Sequence, residues 1–370
     1  MLRVRGQSPV LWRGPGQCQI GVDPAQALVL DDLTDCEQHL LFRLQDGASA
    51  EDIYRASRAT HTPLARAHAL VRLLRSEGVL LPDKDRPHDC DESYWEHLVR
   101  SPTERVRQLR ECTVALLGAG PLTAELAGLL AESGVGAILT EDAGLAASLE
   151  SSFPLLRSFT DKPSGPDLAV LIDPYVIDPI RERALTQAGV PHLSLTVSEL
   201  TVSIGPLFDD SSPVCRTCLE LWECEADPCW PALATQARLL PAPPLERLLI
   251  HHAAAVATRA VLECLVDNPG AWRGLSVDIS ALKPLGVVRQ WQAHPPCLCS
   301  LPQQVRAGLL RLRRLDPATH RHPQALDPAA AVRRPRGRAG QAGRVRGRPP
   351  AGGARASLVL STLDCCRGGC

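Results

Sequence analysis

Apolar residues along this chain follow two rhythms, a period of two in short runs and a spacing of three and four in longer ones, and the change from one to the other divides it into blocks. Residues 10–33, VLWRGPGQCQIGVDPAQALVLDDL, predict three short strands, Val10–Trp12, Gln19–Val22 and Ala27–Leu30, with turn residues Gly14-Pro15-Gly16 and Asp23-Pro24 between them. Three helical patterns follow. The first begins at Thr34, whose hydroxyl caps the helix while Glu37 reciprocates, and it turns Cys36, Leu40, Leu41 and Leu44 to one side. Asp46-Gly47 stops it, and Ser49 caps the second. The third opens with Pro63 after Thr62 and spaces Leu64, Ala67, Val71 and Leu74 at helical period. Gly78 ends it, and VLLP returns as a strand stub.

Short strands followed by three small helices predict a winged-helix α+β module over residues 1–82. Residues 83–110 read as a charged linker with a polar helix. The rhythm then changes. CTVALLGAG is a continuous apolar strand running into glycines, and PLTAELAGLLAESGVGAILTED is a helix followed by a second strand. Pro166–Asp173 is a third strand and Gly189–Val197 a fourth. Strand alternating with helix over about 100 residues is the pattern of a doubly wound parallel α/β sheet, here spanning 111–299. Leu245–Val266 is a long Ala-rich helix, and LSVDIS and LGVVRQWQ form a closing antiparallel pair. Residues 300–370 have no apolar period and too little apolar surface to fold, so a disordered Arg-rich tail is expected.

Composition refines this picture. The 370 residues are 45% apolar with a net charge of −1, which hides an asymmetry. Residues 300–370 hold fourteen Arg, no Lys and three Asp, a net of +11, which leaves −12 on residues 1–299. The folded part offers no basic face, which argues against nucleic-acid binding by the winged-helix module. No run approaches 18 uninterrupted apolar residues, and MLRVRGQSPVLWRG lacks a signal core, so a soluble, cytoplasmic protein without membrane contact is expected. Fourteen cysteines in such a chain point to reduced thiols and metal binding.

Two constellations carry chemistry. Cys215-x-x-Cys218 and Cys297-x-Cys299 each offer two thiolates on a tight turn, and four thiolates make a closed tetrahedral shell for structural zinc. Redox-active or merely buried thiols are the competing readings, and Cys224 and Cys229 are competing ligands. The second constellation is Gly118-Ala119-Gly120, where a strand hands over to a helix and backbone N–H groups face a would-be phosphate. Thr123 takes the place of the third glycine, and Glu141 and Asp142 lie about 20 residues on, where a ribose-binding acid would sit. His251 and His252 are adjacent on a helix, too divergent to share a metal, and read as core or interface residues.

Taken together, VALLGAGPLTAELAGLLAESGVGAILTEDA, PDLAVLIDP and PHLSLTVSELTVSIGPLFDDSSPVCRTCLEL resemble the ThiF/MoeB/ubiquitin-activating family. DPCWPALATQ and HPPCLC narrow the likeness to the ThiF-like cyclodehydratase partner proteins of azole-forming ribosomal peptide clusters, the precursor leader peptide-binding proteins. IGVDPAQALVLDDLTDCEQHLLFRLQDGASAEDIYRAS is similar to PqqD-like peptide-recognition domains. The resemblance covers roughly residues 10–299. It implies a Rossmann-like domain with a zinc site, and a protein that binds the leader of a precursor peptide and presents it to a separate YcaO-type cyclodehydratase. It leaves room for a homodimer. In adenylating relatives an Asn, an Arg and a Lys follow the second-strand acid. Here Asp142 is followed by AGLAASLESSFPLL, with no such residue before Arg157, and Pro174 replaces the Asn after Asp173. Gly118, Gly120, Asp142 and Asp173 are therefore candidate nucleotide-binding residues without the cations that ATP chemistry uses. The alternative is an ATP-dependent adenylyltransferase acting on a C-terminal carboxylate, and a third class is an interaction protein outside peptide maturation. An extended leader is expected to add to the open strand edge at Ala27, Val29 and Leu30, beside Arg66 and Leu70 of the third helix.

Overall fold

A computed structural model describes residues 1–300 apart from 46, 48, 84, 85, 87, 88, 100 and 157–164. The expected tail and Arg157 lie outside the described residues. The N-terminal block opens with strand β1 (Leu2–Val4), followed by β2 (Val10–Gly14), β3 (Gln17–Ile20) and β4 (Leu28–Leu30). Helices α1 (Asp35–Leu44), α2 (Ala50–Ala59) and α3 (Leu64–Ser76) come next, then β5 (Leu80–Pro82). The strands β2, β3 and β4 form an antiparallel sheet in that order, and β1 pairs with β5. Three-residue β1 carries no period of its own, so its partner across 78 residues could not be read from the sequence.

Capping chemistry sets the helix starts. The Thr34 hydroxyl accepts from the Glu37 N–H at 3.2 Å, and the Glu37 carboxylate accepts from the Thr34 N–H at 2.8 Å. Ser49 and Asp52 make the same reciprocal pair on α2. Cys18 and Ile20 of β3 turn inward opposite Leu30 and Leu28 of β4 and meet Leu40, Leu41 and Leu44 of α1 and Ala67, Leu70, Val71 and Leu74 of α3 in one small core.

The linker expected to hold one helix holds two, α4 (Cys90–Leu98) and α5 (Pro102–Glu111). Both are pinned by charge. Arg3 clasps Glu96 of α4 with its two terminal guanidinium nitrogens, and Glu96 also accepts from the Gly6 N–H at 2.6 Å. On the other side Arg105 of α5 donates twice to Asp267, both bonds at 2.9 Å, while stacking 3.6 Å from the centre of the Trp95 ring. The N-terminal block is thus fastened to the linker helices, and these to the larger domain.

That domain is a seven-stranded mixed sheet covered by helices. In chain order it contains β6 (Thr113–Leu117), α6 (Pro121–Glu132), β7 (Ala137–Thr140), α7 (Ala143–Ser152), β8 (Leu168–Pro174), α8 (Pro179–Ala188), β9 (His192–Val197) and β10 (Thr201–Phe208). After these come α9 (Arg216–Ala226), α10 (Trp230–Ala237), α11 (Arg247–Leu262), β11 (Leu275–Ser280) and β12 (Lys283–Gln290). The strand order is β12-β11-β10-β9-β8-β6-β7, parallel from β7 to β9 and antiparallel from β10 to β12. This is a Rossmann-like α/β arrangement with an antiparallel extension. Leu193, Leu195 and Val197 of β9 and Val202 and Ile204 of β10 face α6 and α11. The alanines of α11, Ala253, Ala254, Ala257 and Ala260, let that helix lie close to the sheet. Arg247–Asp267 has the length and apolarity to cross a bilayer, but much of its apolar surface is spent on this internal packing. His251 on the same helix is exposed and bonds Glu125 at 2.7 Å, so it is a surface residue and not a core one.

Candidate functional site

Three places in the described chain concentrate chemistry. The first is the edge of the small sheet. Within that sheet β4 has β3 on one side and no strand on the other among the described residues. Its register sets Val29 beside Gln19 and Leu11, outside the core, while Leu30 is buried opposite Cys18. Ala27 precedes the strand, and its N–H already donates to the Asp23 carbonyl at 2.8 Å. Arg66 reaches back to Glu37 at 2.7 Å, turning its side of α3 toward the start of α1, just beyond β4. Burial works against charge on Glu37, but Arg66 and Thr34 more than offset it and hold this carboxyl below its usual range.

Leu70 corrects the sequence reading. It is only 6% exposed and packs in the small core, whereas a rim residue was expected. The apolar side chain that is open on the Arg66 side is Leu73, two turns further along and 43% exposed. A three- and four-residue spacing cannot distinguish these two leucines, because Leu70 and Leu73 both border the apolar stripe.

The second place is a thiol cluster. Cys215 is the residue before α9 and Cys218 lies in its first turn, while Cys297 and Cys299 arrive from the segment after β12. All four Sγ atoms lie within 4.8 Å of one another, a set that can hold a metal ion. Cys215 and Cys218 are 3.8 Å apart, Cys215 and Cys297 3.5 Å, and Cys218 and Cys299 3.0 Å, all far beyond a disulfide bond. Four ligands around an ion with sulfur bonds of about 2.3 Å place their sulfurs roughly 3.8 Å apart, the separation of Cys215 and Cys218, while Cys218 and Cys299 sit closer than that. Burial pushes the Cys215 thiol up to about 11, which a cation among the sulfurs would reverse. Cys218 accepts from the His294 N–H at 3.3 Å, a bond that favours a thiolate. Cys224 and Cys229 stay outside the cluster.

The third place is the glycine turn, between β6 and β8, where the strand order reverses. Gly118 has φ +151°, and a Cβ there would lie 2.4 Å from the Ile172 carbonyl oxygen, so the turn passes against β8 where only glycine fits. Gly120 caps α6 at φ +107°. The Asp142 carboxylate is engaged as the cap of α7, with one oxygen accepting from the Gly144 and Leu145 N–H groups at 2.8 and 3.1 Å. Asp173 is buried at the end of β8 and accepts from the Asp178 N–H at 3.0 Å; burial pushes its carboxyl up. The structure adds a cation that the sequence did not announce. Arg181 of α8 lies 3.1 Å from Glu141 and acts electrostatically on Asp173. It stands 39 positions after Asp142, beyond any local motif, and reaches this edge because α8 packs beside the strand ends.

No protein-family profile matches the sequence, and no curated protein matches it. Solved structures do. E. coli MccB with SeMet MccA aligns over 80% of this chain and 99% of its own at a TM-score of 0.56 and 14% identity. The microcin C7 biosynthetic enzyme MccB in complex with N-formylated MccA aligns over the same shares at 0.54 and 14%. A heterocyclase in complex with substrate and cofactor aligns over 78% of this chain and 37% of its own, at 0.55 and 15%. At these identities the likeness establishes the fold, and the chain spans nearly the whole length of the MccB chains.

Proposed function

We propose that the chain binds the leader of a precursor peptide at the N-terminal block, read as a winged-helix peptide-recognition module. The bound precursor is presented to a separate YcaO-type, ATP-using cyclodehydratase, which closes Cys, Ser or Thr residues into thiazoline or oxazoline rings. The observation that carries this reading is the open edge of β4 near an α3 flank that is part cationic and part apolar, in a block fastened by Arg3–Glu96 to the rest of the chain. An extended peptide satisfies the unpaired N–H and C=O groups of such an edge by becoming its next strand. Main-chain pairing sets register, and Val29, Leu73 and Arg66 choose side chains. MccB structures that hold MccA and a heterocyclase that holds its substrate share this fold, which supports a role with a peptide. The metal of the thiol cluster is zinc in this proposal, held by Cys215, Cys218, Cys297 and Cys299 as a closed structural site.

Leader binding is tested with peptides encoded beside the gene. Val29→Glu and Leu73→Glu each place a charge on an exposed apolar position and are expected to weaken binding by about 1–3 kcal/mol, on the order of an interface anchor, without lowering the melting temperature. Unchanged affinity in both variants would move the peptide to another surface.

The second reading, adenylation of a C-terminal carboxylate, draws on Arg181 beside Glu141 and Asp173, and on a fold shared with MccB, also solved with ATP. Against it, Arg181 is already paired with Glu141, and one Asp142 oxygen is occupied as a cap. No pyrophosphate exchange with ATP and a carboxylate-ended peptide is therefore expected. A robust exchange signal that disappears in Asp173→Ala would put adenylation first.

A further inference from the structure

Trp12 stands on the core side of the small sheet and yet lies open. Strand β2 pairs with β3 so that Val10, Leu11 and Trp12 are opposite Ile20, Gln19 and Cys18, and Cys18 in turn is opposite Leu30 of β4. Alternation puts Val10 and Trp12 on the side of the sheet that faces the helices. Val10, Cys18 and Leu30 are buried there, whereas Trp12 is 62% exposed. The register shifts between Trp12 and Gly14, and a bulge of this kind bends the strand end and re-aims its side chains.

Two glutamines of α1 fix what lies beside it. The Gln38 amide donates to the Gly14 carbonyl at 2.9 Å, and the Gln45 side-chain oxygen accepts from the Val10 N–H at 3.1 Å. Gln38 and Gln45 are about two turns apart, so Phe42, about one turn after Gln38, lies on the same face of α1. Helix α1 therefore runs along the free edge of β2, with Phe42 and Trp12 both between the two glutamine bonds. Phe42 is 39% exposed. The same bonds occupy main-chain groups at both ends of this edge, so an added strand finds little left to pair with. What this edge offers is side chains.

The charge beside them is positive. Arg13 and Arg43 directly follow Trp12 and Phe42, both are exposed, and neither has an ion pair or side-chain hydrogen bond among the described residues. Of the acids of α1, Glu37 is buried and held by Arg66, and Asp35 opens the helix about two turns before Arg43. Exposed Trp, Phe and Arg together have the composition of protein-binding hot spots, and a free guanidinium is matched best by a carboxylate.

We propose that the β2–α1 face docks the enzyme that acts on the bound precursor, through an apolar pocket ringed by carboxylates that takes Trp12 and Phe42. This rests on the reading of the chain as a leader-binding protein. Strands β2 and β4 are opposite edges of one three-stranded sheet, so a leader on β4 leaves the β2 side open to the enzyme.

The test is calorimetry of the full chain with the cyclodehydratase encoded beside its gene, with leader affinity measured separately. Trp12→Ser, and Arg13→Glu combined with Arg43→Glu, should each weaken enzyme association about tenfold or more and leave leader affinity unchanged. Val29→Glu should weaken leader binding and leave enzyme association as it is. If Trp12→Ser lowers the melting temperature, the paired arginine variant decides, since both of its side chains are exposed. A chain that binds no leader, but loses the enzyme in these variants, refutes the leader reading and keeps the docking face. A chain that binds leader, and holds the enzyme with unchanged affinity in either variant, overturns the proposal. So does an unaltered chain that binds no enzyme. Sedimentation showing a dimer that Trp12→Ser takes apart also overturns it, since a second copy then covers the face.

Discussion

Replacing Cys215 or Cys297 with serine is expected to abolish binding of the zinc proposed for the thiol cluster and to loosen the region around it. Each substitution breaks a different half of the cluster, one before α9 and one in the segment after β12, 82 positions away. No strand pairing joins these halves directly. What surrounds them is a small satellite core of Phe208, Val214, Leu219 and Trp291, separate from the main core of the sheet. The halves also touch through the Trp222 indole N–H, which donates to the Gln292 carbonyl at 2.8 Å, and through His294, 3.1 Å from Glu225; the proposed metal would add four bonds across the same gap. Structural zinc supplies about 10–16 kcal/mol of apparent binding energy in zinc-finger peptides at neutral pH, and a three-cysteine remnant keeps only part of it. The melting temperature should therefore fall, and hydrogen exchange should accelerate around residues 214–222 and 291–299 more than in β6, β8 and β9. Metal analysis of the two purified variants decides the matter. One full equivalent of zinc in both would refute the assignment.

Glu96→Ala should destabilise the chain by about 3–5 kcal/mol, the size typical of breaking a buried ion pair from one side. Arg3 and Glu96 are 8% and 2% exposed, so the mutation takes the carboxylate partner from a buried guanidinium. It also withdraws the acceptor of the Gly6 N–H. A double variant, Arg3→Met with Glu96→Leu, removes both charges and is expected to recover most of the loss. Urea unfolding of the three proteins measures this directly. A single variant as stable as the parent would show that the joint contributes little. Because this joint fastens to α4 the block proposed to bind a leader, that proposal predicts that Glu96→Ala uncouples leader binding from delivery. On that proposal, leader affinity should survive better than ring formation by the proposed partner enzyme.

Much of the fold was legible because its signals are local. A capping box needs only Thr34 and Glu37, a continuous apolar run announces β8, and Gly118-Ala119-Gly120 marks the handover from β6 to α6. Strand β10 was missed: TVSIGPLF is interrupted by Gly205 and Pro206 and carries no clean alternation. The two cysteine pairs were visible as pairs, and their spacing on tight turns suggested a shared ion. Proximity of the halves is a tertiary fact.

By itself, then, the sequence determined the blocks, the helix starts, the alternating α/β order and the four thiols worth watching, since each rests on residues within a few positions of one another. Only the tertiary structure decided which of them meet. It buried Leu70 and left Leu73 open, since a turn of helix either side of a stripe looks alike until a core forms against it. It carried Arg181 across to Glu141, joined Arg3 to Glu96 over 93 positions, and set His192 3.7 Å from Glu182. Pairings of this kind depend on how strands order themselves and how helices pack on them, and that order is chosen by the burial of the whole core and not by any local motif.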